Sequence, residues 1–182
     1  MDASPEAIVE MSSSQGQPDI ETIFQAQYAR IARVIARVLR DPARAEELAV
    51  EVFLKWSRNP QAQGENAQAW LYRVAVRTGL DELRRQTRRT QRERLLRFVG
   101  YSPSPEPSPE EVRSSREDQE NVRAVLAAIQ PRQAELLILR GQGLSYDELA
   151  SALELKPASI GTFLSRAEQA FRKEYIKRYG QQ

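Results

Sequence analysis

Aromatic and arginine side chains occur together along residues 70–97, a combination that suits binding to a polyanion. This segment holds nine arginines against three acidic residues, which gives it a net charge of +6. Aromatic rings can stack on unpaired bases while guanidinium groups neutralise phosphates, so the composition is typical of a surface for single-stranded or opened nucleic acid. Leu71, Val74, Ala75 and Leu83 recur at helical spacing, which predicts an amphipathic helix. A solvated basic face beside a core tryptophan would produce the same pattern.

A second candidate for nucleic-acid binding lies near the carboxyl end of the chain. The residues from Ser145 to Glu148 form a capping-box pattern, which predicts the start of a helix. Pro157 predicts the start of the next helix after a short turn. In a helix-turn-helix, the second helix enters the major groove with its amino-terminal residues at the base edges. In this register the residues that face DNA are Ser159, Gly161, Thr162 and Arg166. An ordinary helical hairpin would show the same pattern.

The composition excludes several kinds of chemistry. The chain contains no Cys and no His, which excludes a disulfide framework, a thiol nucleophile and the usual zinc sites. It also removes the commonest general base. No acidic cluster has the spacing of a magnesium site, and no nucleophile–base pair or phosphate-binding loop is present. We therefore predict a protein that is not an enzyme and that uses no metal and no cofactor.

The chain shows no sequence feature of a membrane or exported protein. No apolar run approaches the ~20 residues that a membrane helix needs. The amino terminus opens with acidic residues, where a signal peptide would carry basic ones. These features predict a cytoplasmic protein without membrane insertion.

Charge and proline content divide the chain into four segments. Residues 1–18 carry a net charge of −3 and are predicted to form a disordered tail. Residues 99–118 contain alternating prolines, which prevent a helix and predict an extended linker. Segments 19–98 and 119–182 show helical periodicity and no β pattern. The predicted fold is all-α, with two small helical domains joined by a Pro-rich flexible linker, the C-terminal one a helix-turn-helix. The longer predicted helices span about 20–39, 42–58, 67–98 and 157–178.

Three blocks of the sequence resemble, in the same order, the extracytoplasmic-function class of bacterial RNA polymerase sigma factors. Residues 41–56 are similar to the family's helix that binds core polymerase. Residues 70–85 are similar to its promoter-melting helix. Residues 130–132 and 143–150 are similar to its carboxyl-terminal DNA-binding domain. The resemblance covers most of the chain.

This resemblance implies a sigma factor that binds core RNA polymerase and directs promoter recognition, DNA melting and transcription initiation. The polymerase-binding residues would be Glu46, Glu47, Val50, Glu51 and Leu54. The residues that capture the opened −10 strand would be Asn66, Trp70, Tyr72, Arg73, Arg77, Arg84 and Arg85. The −35 duplex would be bound by the four recognition-helix residues together with Ser145 and Tyr146. The resemblance also implies an anti-sigma factor as a partner.

Several positions depart from the family pattern. Arg77 stands where the melting helix usually carries asparagine, while Gly161, Phe163 and Glu168 stand where the recognition helix usually carries cations. Arg166 is retained. Because cations contact phosphates and arginine binds guanine through two hydrogen bonds, we predict weak binding to the −35 duplex or an unusual −35 sequence.

Two other functions are compatible with the residues alone. A DNA-binding regulator could use the helix-turn-helix without polymerase, but it would need a dimer to bind two half-sites, and no heptad seam is present. A helical adaptor without a nucleic-acid role is disfavoured by the charge of the segment 70–97. In either case Glu46, Glu47 and Glu51 would form only a solvated acidic face. For Trp56 and Trp70, the alternative to a functional role is packing in the hydrophobic core.

Overall fold

The computed structural model describes residues 20–64, 66–99 and 110–180. These residues form seven α-helices and one short 3-10 helix, and no strand occurs among them. The α-helices are α1 (Ile20–Leu39), α2 (Pro42–Ser57), α3 (Ala67–Val99), α4 (Glu110–Ala128), α5 (Pro131–Gly141), α6 (Tyr146–Leu153) and α7 (Pro157–Tyr179). The 3-10 helix is Pro60–Ala62, between α2 and α3. The predicted all-α fold is confirmed.

Helices α1 to α3 form the N-terminal domain, which packs around aromatic side chains. Trp56 is fully buried, and its indole N–H donates a hydrogen bond to the Ala62 carbonyl oxygen at 2.8 Å. The Phe53 ring meets the Trp56 ring edge to face, with centroids 6.2 Å apart. Asp41 caps α2 by accepting a hydrogen bond from the Arg44 amide at 3.0 Å, as its place before a proline favours. Trp56 is therefore a core residue.

Helices α4 to α7 form the C-terminal domain, in which α6 and α7 are the helix-turn-helix. The predicted capping box is present, since the Ser145 hydroxyl accepts a hydrogen bond from the Glu148 amide at 3.3 Å. In return, the Glu148 carboxylate accepts one from the Ser145 amide at 2.7 Å, and this hydrogen bond lowers the pKa of Glu148. Glu154 ends α6 in the left-handed region, with φ of 54°. This left-handed residue reverses the direction of the chain, so the turn between α6 and α7 is short.

Helix α4 begins earlier than the sequence predicts. The predicted linker covers residues 99–118, but α4 starts at Glu110. The alternating prolines end at Pro109, and the residues that follow offer no further obstacle to a helix. Residues 110–118 therefore belong to α4 rather than to the linker. The prolines of the linker, and the predicted disordered tail 1–18, lie outside the described residues.

The two domains lie in contact along α3. One side of α3 packs against α1 and α2, while another side contacts α4, α5 and α6. The buried face of α3 is accordingly broader than the stripe predicted from its periodicity, because Val76 and Leu80 are buried as well as Leu71. None of the helices in the described ranges has the length and hydropathy needed to cross a bilayer.

Candidate nucleic-acid and protein interfaces

One exposed face of α2 combines apolar and acidic residues. Val50 and Leu54 are 43% and 49% exposed, and they lie one helical turn apart. Glu46, Glu47 and Glu51 are exposed around them. Exposed apolar side chains within a polar rim are typical of a protein-binding surface. The structure thus places the five predicted polymerase-binding residues on a single surface, which we call the α2 face.

Arg44 connects the α2 face to α3. Its guanidinium group lies 2.6 Å from the Glu47 carboxylate and 3.5 Å from the buried carboxylate of Glu82. The hydrogen bonds to Glu47 and Glu82 raise the pKa of Arg44. Glu82 also forms an ion pair with Arg85, at 3.1 Å. The position of Glu47 on the surface is therefore fixed by a cation that also joins α2 to α3.

The predicted −10 residues occupy different environments. Arg85 is exposed over 68% of its side chain, and Trp70 is half-buried. Asn66 and Tyr72 line a cleft of about 310 Å³ between the start of α3 and the segment 142–151 of the C-terminal domain. The remaining three, Arg73, Arg77 and Arg84, contact the C-terminal domain directly. We call the surface formed by all seven predicted residues the −10 face.

Two ion pairs join the −10 face to the C-terminal domain. Arg73 contacts Glu154, which ends α6. The Arg77 Nε–H donates a hydrogen bond to Glu135 Oε1 of α5 at 2.9 Å. Arg73 and Glu135 are nearly buried, whereas their partners Glu154 and Arg77 are substantially exposed. The hydrogen bond from Arg73, together with its charge, lowers the pKa of Glu154.

Hydrogen bonds to uncharged acceptors extend this contact along α3. The Arg84 Nε–H donates to the carbonyl oxygen of Ala127, the penultimate residue of α4, at 3.2 Å. The Ser151 hydroxyl donates to Asn66 Oδ1, also at 3.2 Å. The contact therefore runs from the start of α3 to its middle, and it largely covers Arg73 and Arg84 of the −10 face.

Three buried polar atoms at this contact have no hydrogen-bond partner among the described residues: Arg73 Nε, Arg84 Nη2 and Glu135 Oε2. A buried polar atom that loses water without gaining a partner costs about 1–3 kcal/mol. The attraction between the two domains is therefore opposed by a desolvation cost that separation of the domains would remove.

The second half of α3 extends into solvent. Its arginines are exposed, namely Arg88, Arg89, Arg92 and Arg94. Arg89 pairs with Glu93 one turn further along the helix, at 2.9 Å. This part of the basic segment is a solvated face in the present arrangement, so its cations are accessible to a polyanion.

The predicted −35 residues lie on a surface of α6 and α7 that faces solvent. Five of them are exposed, namely Ser145, Tyr146, Gly161, Thr162 and Arg166, and Ser159 is half-buried. A Cβ atom added at Gly161 would lie 3.8 Å from Tyr146 Cε2, so the capped start of α6 and the start of α7 are neighbours. We call this surface the −35 face.

Arg140 is a residue of the −35 face that the sequence reasoning missed. Its guanidinium carbon lies 5.5 Å from the centroid of the Tyr146 ring, within the range of a cation–π contact. Its position in the last turn of α5, just before the turn into α6, was the available signal. Arg140 supplies a cation near the start of α7, where Gly161 and Phe163 supply none.

Two family models match the two domains. The model described as Sigma-70 region 2 matches residues 23–89. The model described as Sigma-70, region 4 matches residues 119–171. The two matched segments correspond to the N-terminal and C-terminal domains, and together they cover most of the chain.

Two curated relatives are named as RNA polymerase sigma factors. The ECF RNA polymerase sigma factor SigE of Mycolicibacterium smegmatis is 25% identical over 164 residues, which are 89% of this chain and 63% of the relative. The RNA polymerase sigma factor YlaC of Bacillus subtilis is 27% identical over 161 residues, which are 87% of this chain and 92% of the relative. The chain thus spans less than two thirds of SigE but most of YlaC.

A solved structure is also similar to this chain. It is the sigma factor RpoE in complex with the anti-sigma factor NepR from Bartonella quintana. The likeness covers 86% of this chain and 96% of that chain, with a TM-score of 0.47 and 20% sequence identity.

Proposed function

Because the chain belongs to the extracytoplasmic-function class of sigma-70 factors, we propose that it binds core RNA polymerase and directs promoter recognition, DNA melting and transcription initiation. The observation that carries the proposal is the presence of both family segments, each on its own helical domain. Such a protein confers specificity on the polymerase and leaves the chemistry of RNA synthesis to it. Its place of action would be the cytoplasm, where the polymerase is.

The three surfaces divide this function. The α2 face binds core polymerase, supported by its exposed Val50 and Leu54 and the acidic residues around them. The −10 face captures the opened strand, supported by its aromatic and arginine side chains. The −35 face binds duplex DNA through the start of α7. An anti-sigma factor is the further partner that the family resemblance implies.

The α2 face provides the direct test of polymerase binding. We expect the double variant Glu47→Lys with Glu51→Lys to weaken binding to core polymerase by roughly tenfold, because reversed charges repel a surface that is complementary to acidic residues. The free energy of unfolding should fall by about 1 kcal/mol, because Glu47→Lys replaces the ion pair between Arg44 and Glu47 with two like charges. The measurement is a quantitative pull-down of core polymerase, with the melting temperature recorded in parallel.

A matched control separates this effect from a change in net charge. The double variant Glu117→Lys with Glu120→Lys has the same charge change, and both residues are exposed on α4. It should bind polymerase as the wild-type protein does. Unchanged binding of the Glu47 and Glu51 variant would remove the assignment of the α2 face.

A further inference from the structure

The C-terminal domain covers part of the −10 face while its own −35 face stays exposed. Arg73, Arg77 and Arg84 contact α4, α5 and the end of α6. Tyr146 and Gly161, in contrast, are exposed on the −35 face. In this arrangement a duplex can reach the −35 face, whereas Arg73 and Arg84 of the −10 face are largely covered, and the guanidinium group of half-exposed Arg77 is paired with Glu135.

We propose that Glu135 and Glu154 form a latch that holds the two domains closed in the free protein. Each carboxylate occupies an arginine that a DNA phosphate would otherwise contact: Glu154 pairs with Arg73, and Glu135 pairs with Arg77. A carboxylate offers arginine the same kind of charge-assisted acceptor as a phosphate does. The latch rests on the proposed function only for the identity of the surface that it covers.

Arg77 of α3 forms the ion pair of the latch with α5. Its partner Glu135 is almost completely buried, with 4% of its surface exposed. A buried carboxylate strongly favours a positively charged neighbour, and Arg77 supplies that charge from α3.

Three buried polar atoms at the domain contact favour opening of the latch. Arg73 Nε, Arg84 Nη2 and Glu135 Oε2 are buried without a partner among the described residues, and opening would return these atoms to water. Any partner that holds the two domains apart gains the arginines of the −10 face as a binding surface. We therefore infer that capture of the −10 strand requires opening, whereas duplex contact through the −35 face does not.

Closure can be measured by an engineered disulfide, because the chain has no cysteine of its own. Asn66 and Ser151 lie on opposite sides of the domain contact, with Asn66 Oδ1 and Ser151 Oγ 3.2 Å apart. The double substitution Asn66→Cys with Ser151→Cys in the full chain should form a disulfide rapidly. Adding Glu135→Gln and Glu154→Gln should slow its formation by roughly tenfold, because the closed population falls.

The control has the same change in charge away from the contact. Glu117 is exposed on α4, and Glu174 pairs with Arg178 within α7. Adding Glu117→Gln with Glu174→Gln should leave the disulfide rate unchanged. Glu154→Gln alone, at an exposed carboxylate, should slow the rate partially and does not depend on tolerance of a change at buried Glu135. Equal rates in all these proteins would overturn the latch.

Binding to DNA is measured separately, in proteins without the engineered cysteines. The probe is a short fluorescent single-stranded DNA oligonucleotide at low salt. Glu135→Gln with Glu154→Gln should bind it roughly tenfold more tightly than Glu117→Gln with Glu174→Gln, because a larger fraction of the protein is competent to bind. A slower disulfide rate without tighter binding would support the latch and contradict the assignment of the −10 face. Tighter binding with an unchanged disulfide rate would overturn the latch.

Discussion

Promoter opening should fall by roughly tenfold when Arg84 and Arg85 are both replaced by alanine, while binding to core polymerase stays intact. Each lost phosphate contact flattens the dependence of log affinity on log salt, by about 0.7 on a single strand. Loss of both contacts should therefore be most visible at low salt, where the wild-type protein benefits most. The measurement is open-complex formation across a salt series, on a promoter that the wild-type protein and core polymerase use.

The two single variants should behave differently. Arg85 is 68% exposed and pairs with Glu82 on its own helix, so Arg85→Ala removes a DNA contact and little else. Arg84 is 16% exposed and donates to the Ala127 carbonyl across the domain contact. Arg84→Ala should therefore also loosen the closed arrangement, and this partly offsets the loss of its DNA contact.

A control for the double variant removes the same charge elsewhere. Lys177 and Arg178 pair with Glu174 at the end of α7, away from the −10 face. Alanine at both positions should leave promoter opening as in the wild-type protein. If the Arg84 and Arg85 variant opened the promoter normally at every salt concentration, the basic run of α3 would be only a solvated face.

Local patterns in the sequence predicted the helices well because their signals lie within one or two turns. The predicted helix start at residue 42 is the start of α2, and the bonds of the Ser145 capping box are formed as expected. These features need no information from distant parts of the chain.

The contact between the two domains could not be predicted in this way. Arg77 and Glu135 are 58 residues apart, and Arg73 and Glu154 are 81 residues apart. No periodicity joins such positions, and the proline-rich segment between them predicted two separate domains. The burial of Val76 on α3 likewise depends on how α3 packs in three dimensions. The sequence therefore indicated which residues could bind DNA, but not that the C-terminal domain covers part of them.

Lysine at Gly161 should strengthen binding to duplex DNA and stabilise the fold at the same time. Gly161 is exposed in α7, and a Cβ atom there would lie 3.8 Å from the Tyr146 ring, an ordinary contact. Replacing a helical glycine by lysine is favourable by about 0.5–1 kcal/mol. A new phosphate contact should also steepen the salt dependence by about 0.9 on a duplex.

Any duplex is a suitable probe for this variant, because a phosphate contact carries no sequence information. Fluorescence anisotropy across a salt series gives the affinity, and thermal unfolding gives the melting temperature. Gly141→Lys is the matched control, since Gly141 is also exposed and helical with open space around it, but it lies in the last turn of α5 rather than on α7. It should not produce the gain in duplex affinity that Gly161→Lys produces.

Phe163→Arg should lower the stability of the fold while it also raises affinity for duplex DNA. Phe163 is 39% exposed and lines a cavity of about 200 Å³ with Leu136, Leu153 and Leu155. Arginine there loses apolar packing, so the melting temperature should fall, while a guanidinium group near the start of α7 should raise duplex affinity.

A higher melting temperature for Gly161→Lys without a gain in affinity would mean that Gly161 does not face DNA. The register assigned to the recognition helix would then be wrong, because the lysine would have improved the helix without meeting a phosphate.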